Sequence, residues 1–305
     1  MLTENFEVLD PRFKRLVFGN VHVEKLHTGS RWAEGPVYVP GGRYLLWSDV
    51  ISNRTYRYDE TDDSVSVFQN PSFHSNGHSI DQQGRVISCE HLTRCITRME
   101  HDGTRKVLVS TFEGKRFNSP NDVVVKSDGT IWFTDPSYGI DTDYEGDASP
   151  PEVDGCFVYR LDLQIGEIAA VARDFEKPNG LAFSPDEKIL YIVDSGATHV
   201  ENGPRHIRRF AVSGNGTLSG GDVFASCKDG IFDGLRIDIH GNIWTSAGKS
   251  VEVYAPDATL IGRIHMPEVV ANVCFGGVKQ NRLFICATTS LYAVFVNTRG
   301  CLKFG

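Results

Sequence analysis

One phrase recurs six times along this chain: a polar residue opens a short apolar strand, a Gly/Asp turn follows, and a second strand ends on polar residues. The copies begin at Glu34 (EGPVYVPGGRYLLWSD), Asn76 (NGHSIDQQGRVISCEH), Asn121 (NDVVVKSDGTIWFTD), Asn179 (NGLAFSPDEKILYIVD), Asp233 (DGLRIDIHGNIWTSA) and Asn272 (NVCFGGVKQNRLFICAT). They lie 42, 45, 58, 54 and 39 residues apart, close to the roughly 40–50 residues of a four-stranded propeller blade. Two further strand-like runs usually follow each copy, as in CITRME/KVLVST and CFVYRLD/IAAVARDF, and no helical period is sustained. The expected fold is all-β, a six-bladed β-propeller of four-stranded antiparallel blades forming one domain over residues 1–305. The sixth repeat runs short of chain, so strands near Phe13–Phe18 and His22–His27 are expected to complete it.

Charge narrows the partners. The chain has 31 Lys+Arg against 39 Asp+Glu and a net charge of −8, which disfavours nucleic acid and anionic membranes and favours a small ligand. No apolar run is long enough for a membrane span, and the first residues lack the basic and apolar regions of a signal peptide. The seven cysteines form no C-x-x-C pair, so neither a disulfide framework nor a zinc ribbon is indicated and a cytoplasmic, reduced protein is expected.

Propeller topology gathers the polar residues. The loop entering each inner strand lies on the same face as the loop leaving the second strand, so Glu34, Asn76, Asn121, Asn179, Asp233 and Asn272 should ring one channel mouth. The ends of the second strands, Asp49, Glu90 with His91, Asp135, Asp194, Ser246 and Thr288, should lie near them. Asn-Gly and Asp-Gly are also common hairpin dipeptides, but here they open the inner strand, and the hairpin turns come later, at Ser127-Asp128-Gly129 and Pro185-Asp186. Two acids and four amides make an oxygen-rich ring, the donor type that hard cations prefer. His91 is a candidate base or hydroxyl partner; Asn76, His78, Asp135 and Tyr138 are candidate substrate contacts.

At these residues the sequence resembles the regucalcin/gluconolactonase family of six-bladed propellers, most closely its bacterial gluconolactonase-like branch. The resemblance is carried by Ala33-Glu34-Gly35-Pro36, by NSPNDVVV from Asn118, by Phe133-Thr134-Asp135-Pro136, by Pro178-Asn179-Gly180-Leu181 and by Asp233-Gly234. It implies a divalent cation, usually calcium, on Glu34, Asn121, Asn179 and Asp233, and hydrolysis of sugar lactones with Asp233 as the favoured base. Regucalcin-type members carry an Arg two residues before the second ligand, where this chain has Ser119, so their substrate orientation does not carry over. The chemistry is coherent on its own terms: two carboxylates balance a divalent charge, and open positions on the cation admit water and a lactone carbonyl. Asp233 or His91 would then take the water's proton.

Two other readings share this ring, an aryl-ester or organophosphate hydrolase and a non-catalytic metal- or ligand-binding propeller. Asp141-Thr-Asp143-Tyr-Glu145-Gly146-Asp147 with Glu152 has the spacing of an EF-hand loop. Pro150-Pro151 and the strand-like flanks argue against it, and an acidic insertion over the active face is expected instead, which also accounts for the 58-residue spacing. No G-x-S-x-G, H-E-x-x-H, P-loop or G-x-G-x-x-G occurs.

Overall fold

The computed structural model describes residues 3–301, and they form the six-bladed propeller that the repeats require. Each blade is an antiparallel meander counted outward from the channel. Blade I is Ala33–Val39, Tyr44–Asp49, Arg54–Asp59 and Val65–Gln69; blade II is Ser75–Ile80, Val86–Glu90, Cys95–Met99 and Arg105–Val109. Blade III is Val123–Val125, Ile131–Asp135, Cys156–Asp162 and Glu167–Phe175; blade IV is Pro178–Phe183, Ile189–Asp194, His206–Val212 and Leu218–Ser226. Blade V begins with Leu235–Ile237, Ile243–Ala247, Ser250–Tyr254 and Leu260–His265, and blade VI with Val270–Gly276, Arg282–Ala287 and Ser290–Phe295.

The N-terminal segment supplies the missing strand, with one correction. Glu24–Thr28 pairs with Ser290–Phe295 and closes blade VI as its outer strand. Phe13–Phe18 is not a strand: Phe13–Arg15 is a 3-10 turn, and Phe13 is fully buried against Trp244 and the apolar core between blades V and VI. The run alternates poorly, and one large anchor buries more apolar surface there than a ladder on an already covered edge. Phe6–Val8, not anticipated, pairs with Leu260–His265 and makes blade V five-stranded.

The core is divided among the blade interfaces. Trp47, Trp132 and Trp244, on the second strands of blades I, III and V, have no exposed surface. Trp132 packs with Leu190, Ile192 and Phe210 of blade IV, for example.

Close approach at the channel explains the glycines that follow the ring residues. The Gly77 N–H donates to the Asn121 carbonyl at 2.7 Å, and the Gly180 N–H donates to the Asp233 carbonyl at 3.0 Å. A Cβ on Gly180 would stand 2.4 Å from that carbonyl oxygen, and one on Gly77 2.5 Å from the other. Asn-Gly here is therefore a blade-to-blade contact rather than a hairpin turn. Gly180→Ala is expected to destabilise the fold by about 2–3 kcal/mol, the usual cost of forcing atoms into a packed core. Gly214→Ala, where a Cβ meets nothing within 4 Å, serves as the control. Urea midpoints compare the two, and equal midpoints would contradict the account.

Candidate active site

Local irregularity aims the ring residues into the channel. The inner-strand ladders shift register between Glu34 and Val37, Ser75 and His78, Pro178 and Leu181, and Val270 and Asn272. Each shift sits at the polar residue or within two of it, and a bulge of this kind re-aims a side chain without ending the strand. Glu34, Asn76, Asn121, Asn179 and Asn272 are all buried, and Asp233 is half-buried.

The contacts join neighbours around the ring. Glu34 Oε2 accepts the Gly35 N–H at 2.5 Å and Asn272 Nδ2 at 3.0 Å. Asn179 Nδ2 donates to Ser195 Oγ at 3.2 Å, and its amide hydrogen-bonds Asp233. Ser195 Oγ donates in turn to the Phe232 carbonyl at 2.8 Å, which fixes the serine and through it the amide. The Asn121 side chain makes no hydrogen bond among the described residues, although the residue is 6% exposed.

This donor set suits a divalent cation. Burial lifts the Glu34 carboxyl to about 7, against hydrogen bonds from Gly35 and Asn272 that lower it. Burial, with the charges of Glu34 and Glu145, drives Asp233 well above the usual carboxylate range. Two carboxyls whose charged forms are disfavoured in this way are relieved by an opposite charge between them, and the unpartnered Asn121 amide offers a further oxygen. Among the described residues no three His, Cys, Asp or Glu side chains are grouped to hold a metal, so a cation here has to draw on the amides.

His91 is held as a neutral base. It has no exposed surface, its Nδ1 faces the Glu145 carbonyl at 3.1 Å, and its Nε2 lies 3.4 Å from Asn76 Nδ2. A carbonyl cannot donate, so Nδ1 carries the hydrogen and the Nε2 lone pair turns towards Asn76. Burial lowers its pKa to about 4.

The insertion of blade III forms the roof. Tyr138 opens a short helix, Tyr138–Asp141, with its hydroxyl 3.2 Å from Thr198 Oγ1 and its ring 5.4 Å from that of His199. Burial first, then the charge of Asp233, raises the Tyr138 hydroxyl pKa. Lys177 Nζ donates to Asp141 at 2.7 Å and sits 5.1 Å from the Tyr138 ring centre, fastening the insertion to blade IV. The EF-hand spacing is not used: Asp141 pairs with Lys177, Asp143 accepts the Ala148 N–H, and Glu152 accepts the Arg116 N–H.

Two expected substrate contacts take other roles. Asp135 has no exposed surface; its Oδ2 accepts the Asn118 N–H at 2.9 Å, and burial raises its pKa to about 7. Asp49 and Asp194 likewise accept backbone N–H groups in blades I and IV, those of Arg31 and Trp32 and of Glu176 and Lys177. These aspartates clamp the loops that deliver the ring residues. His78 faces the channel below the ring, but both its nitrogens are engaged, Nε2 with Ser48 Oγ at 2.8 Å and Nδ1 with Ser88 Oγ at 2.7 Å. Burial lowers its pKa to about 4.

Glu145, within the acidic insertion expected over the active face, raises Asp233 by its charge. Two charged residues of the channel were not singled out from sequence. Asp122 and Arg236 pair beneath the ring at 3.3 Å. Asp122 falls where the copies at Glu34, Asn76, Asn179 and Asp233 have Gly, and Arg236 breaks the apolar run Leu235-Arg236-Ile237, the signals that could have found them.

Fold and ring together define a six-bladed propeller with an all-oxygen polar site at one channel mouth. The family model described as the SMP-30/Gluconolactonase/LRE-like region matches residues 32–289, and the chain belongs to that family. It is 31% identical over 95% of its length to a gluconolactonase of Zymomonas mobilis, of which the match covers 85%. Among solved structures, a putative gluconolactonase superposes with a TM-score of 0.91 at 37% identity, covering 97% of this chain and 99% of that one. A gluconolactonase from Xanthomonas campestris, described as important in glucose secondary metabolic pathways, gives 0.89 at 35% identity, covering 96% and 95%.

Proposed function

We propose that this protein is a lactonase that opens sugar lactones such as gluconolactone to the aldonic acid. The observation that carries the reading is the placing of Glu34 and Asp233 in a ring whose other four members are amides, in a chain whose relatives bear lactonase names. We further propose a divalent cation, calcium by the hard-oxygen character of the donors, on Glu34, Asn121, Asn179 and Asp233. When bound it would polarise the lactone carbonyl and acidify a neighbouring water.

The chain's own groups do the rest. Asp233 takes the proton from the attacking water as its oxygen bonds to the carbonyl carbon, and the same proton serves the ring oxygen when the C–O bond breaks. Asn179 orients Asp233 through their hydrogen bond. His91 is the alternative base, through the Nε2 lone pair, and Asn76 beside it is placed to bond a sugar hydroxyl. Tyr138 walls the pocket and, with the rest of the insertion, limits water around the reacting bond. Free thiols at all seven cysteines suit a reducing compartment, and we place the protein in the cytoplasm.

Initial rates on gluconolactone, a phenyl ester and a phosphotriester test the substrate class. We expect kcat/KM to favour the lactone by about 10²-fold or more, because buried polar groups matched to sugar hydroxyls reject partners lacking them. A preference for the ester or phosphotriester would assign the site to that chemistry. Gluconate binding without turnover of any of the three would make the propeller a binding protein.

A further inference from the structure

Beneath the polar ring the channel continues as a separate cavity of about 130 Å³. Inner strands of all six blades reach it, and its walls include Val37, Ile80, Val125, Phe183, Ile237 and Phe275. Among the described residues the one Lys or Arg side chain lining it is Arg236. Arg236 Nη1 donates to the Leu235 carbonyl at 2.7 Å and to Asp122 Oδ2 at 3.3 Å, while Nε and Nη2 find no acceptor among the described residues. A guanidinium offers five donors in a rigid fork, and the unmatched side of this one lines the cavity.

His78 and Glu187, the other ionisable imidazole and carboxyl groups lining the cavity, are already engaged. Both nitrogens of His78 meet serines, and both oxygens of Glu187 accept from Ser127. A polyol such as an aldonate would thus find one charged anchor and few partners for its hydroxyls. We propose that the lower channel is a second binding site, for a small monocarboxylate with an apolar body, whose carboxylate takes the free side of Arg236. The match is one of kind on both counts: a planar carboxylate accepts two parallel N–H bonds from an arginine fork, and a short alkyl body replaces water against the aliphatic and aromatic walls. The site lies on the far side of the ring from the insertion that roofs the mouth, so occupancy does not require displacement of lactone.

Calorimetry with hexanoate and 1-hexanol on the full chain tests this without measuring turnover, so its outcome is separable from that of the lactonase reading. We expect saturable 1:1 binding of hexanoate at least tenfold tighter than hexanol, undisturbed by excess gluconate. Val125→Phe, which fills the cavity and leaves Arg236 in place, should abolish that binding with lactone hydrolysis unchanged. Crystals soaked in 6-bromohexanoate give a second readout that needs no variant, with the bromine expected among the lower-channel side chains. Equal affinity for hexanol, displacement by gluconate, survival of binding in Val125→Phe, or bromine located only elsewhere would each overturn the proposal.

Discussion

Asp233→Asn is expected to leave a folded protein that still binds the cation, more weakly, while turnover at saturating calcium falls about 10²- to 10⁴-fold, the usual contribution of a general base. The substitution retains an oxygen and the size of the side chain, and removes the charge and the proton acceptor. Its backbone contacts are untouched: the Asp233 N–H donates to Ser246 Oγ at 2.9 Å, and its carbonyl receives the Gly180 N–H. The substitution also removes a carboxyl whose charged form burial, Glu34 and Glu145 all disfavour, so thermal stability of the metal-free protein should hold or rise. His91→Gln separates the two candidate bases. If Nε2 of His91 takes the water proton instead, its loss will exceed that of Asp233→Asn at the same saturation. Near-normal turnover of Asp233→Asn with the site saturated would refute the assignment.

Exhaustive chelation should abolish lactone hydrolysis, and calcium should restore it. The same treatment should lower the melting temperature, because a ligand bound only by the native state stabilises it by about 2.7 kcal/mol at a hundred times its Kd. Glu34→Gln is expected to raise the calcium concentration needed for half-maximal activity, since it leaves one carboxylate to balance the divalent charge. Full activity after dialysis against EDTA, with no metal by elemental analysis, would remove the cation from the mechanism.

The architecture was legible because every copy of the repeat carries its own turn and its own alternation, and six weak signals at similar spacing agree. The mouth was legible because chain direction fixes which end of each strand lies on which face. Depth was not. Asp135 and Asp233 both fall at the mouth face of their strands, yet one lies fully buried as a loop clamp and the other is only half-buried in the ring. A two-residue period gives the side of the sheet and says nothing about how far a side chain reaches. The register shifts that aim Glu34 and Asn179 were hidden for the same reason, since a bulge changes the pairing without changing the composition. Phe13 misled because FKRLVF has the apolar content of a strand, and only the core between blades V and VI shows it to be a plug. Arg236 was passed over as part of a strand, where its charge was the informative feature.

The closing strand has a consequence for biosynthesis. Glu24–Thr28 leaves the ribosome before any blade, and its partner Ser290–Phe295 leaves after all the others. Until that late partner arrives the early strand has no ladder, and Asn272 is not yet beside Glu34, whose carboxylate it will hold. Partially made chains therefore have blades without a mouth. A cation held as proposed across the ring would reward only the finished circle, so its binding energy would fall on the last and most non-local step of folding, the step for which the polypeptide's own nearest-neighbour contacts provide least.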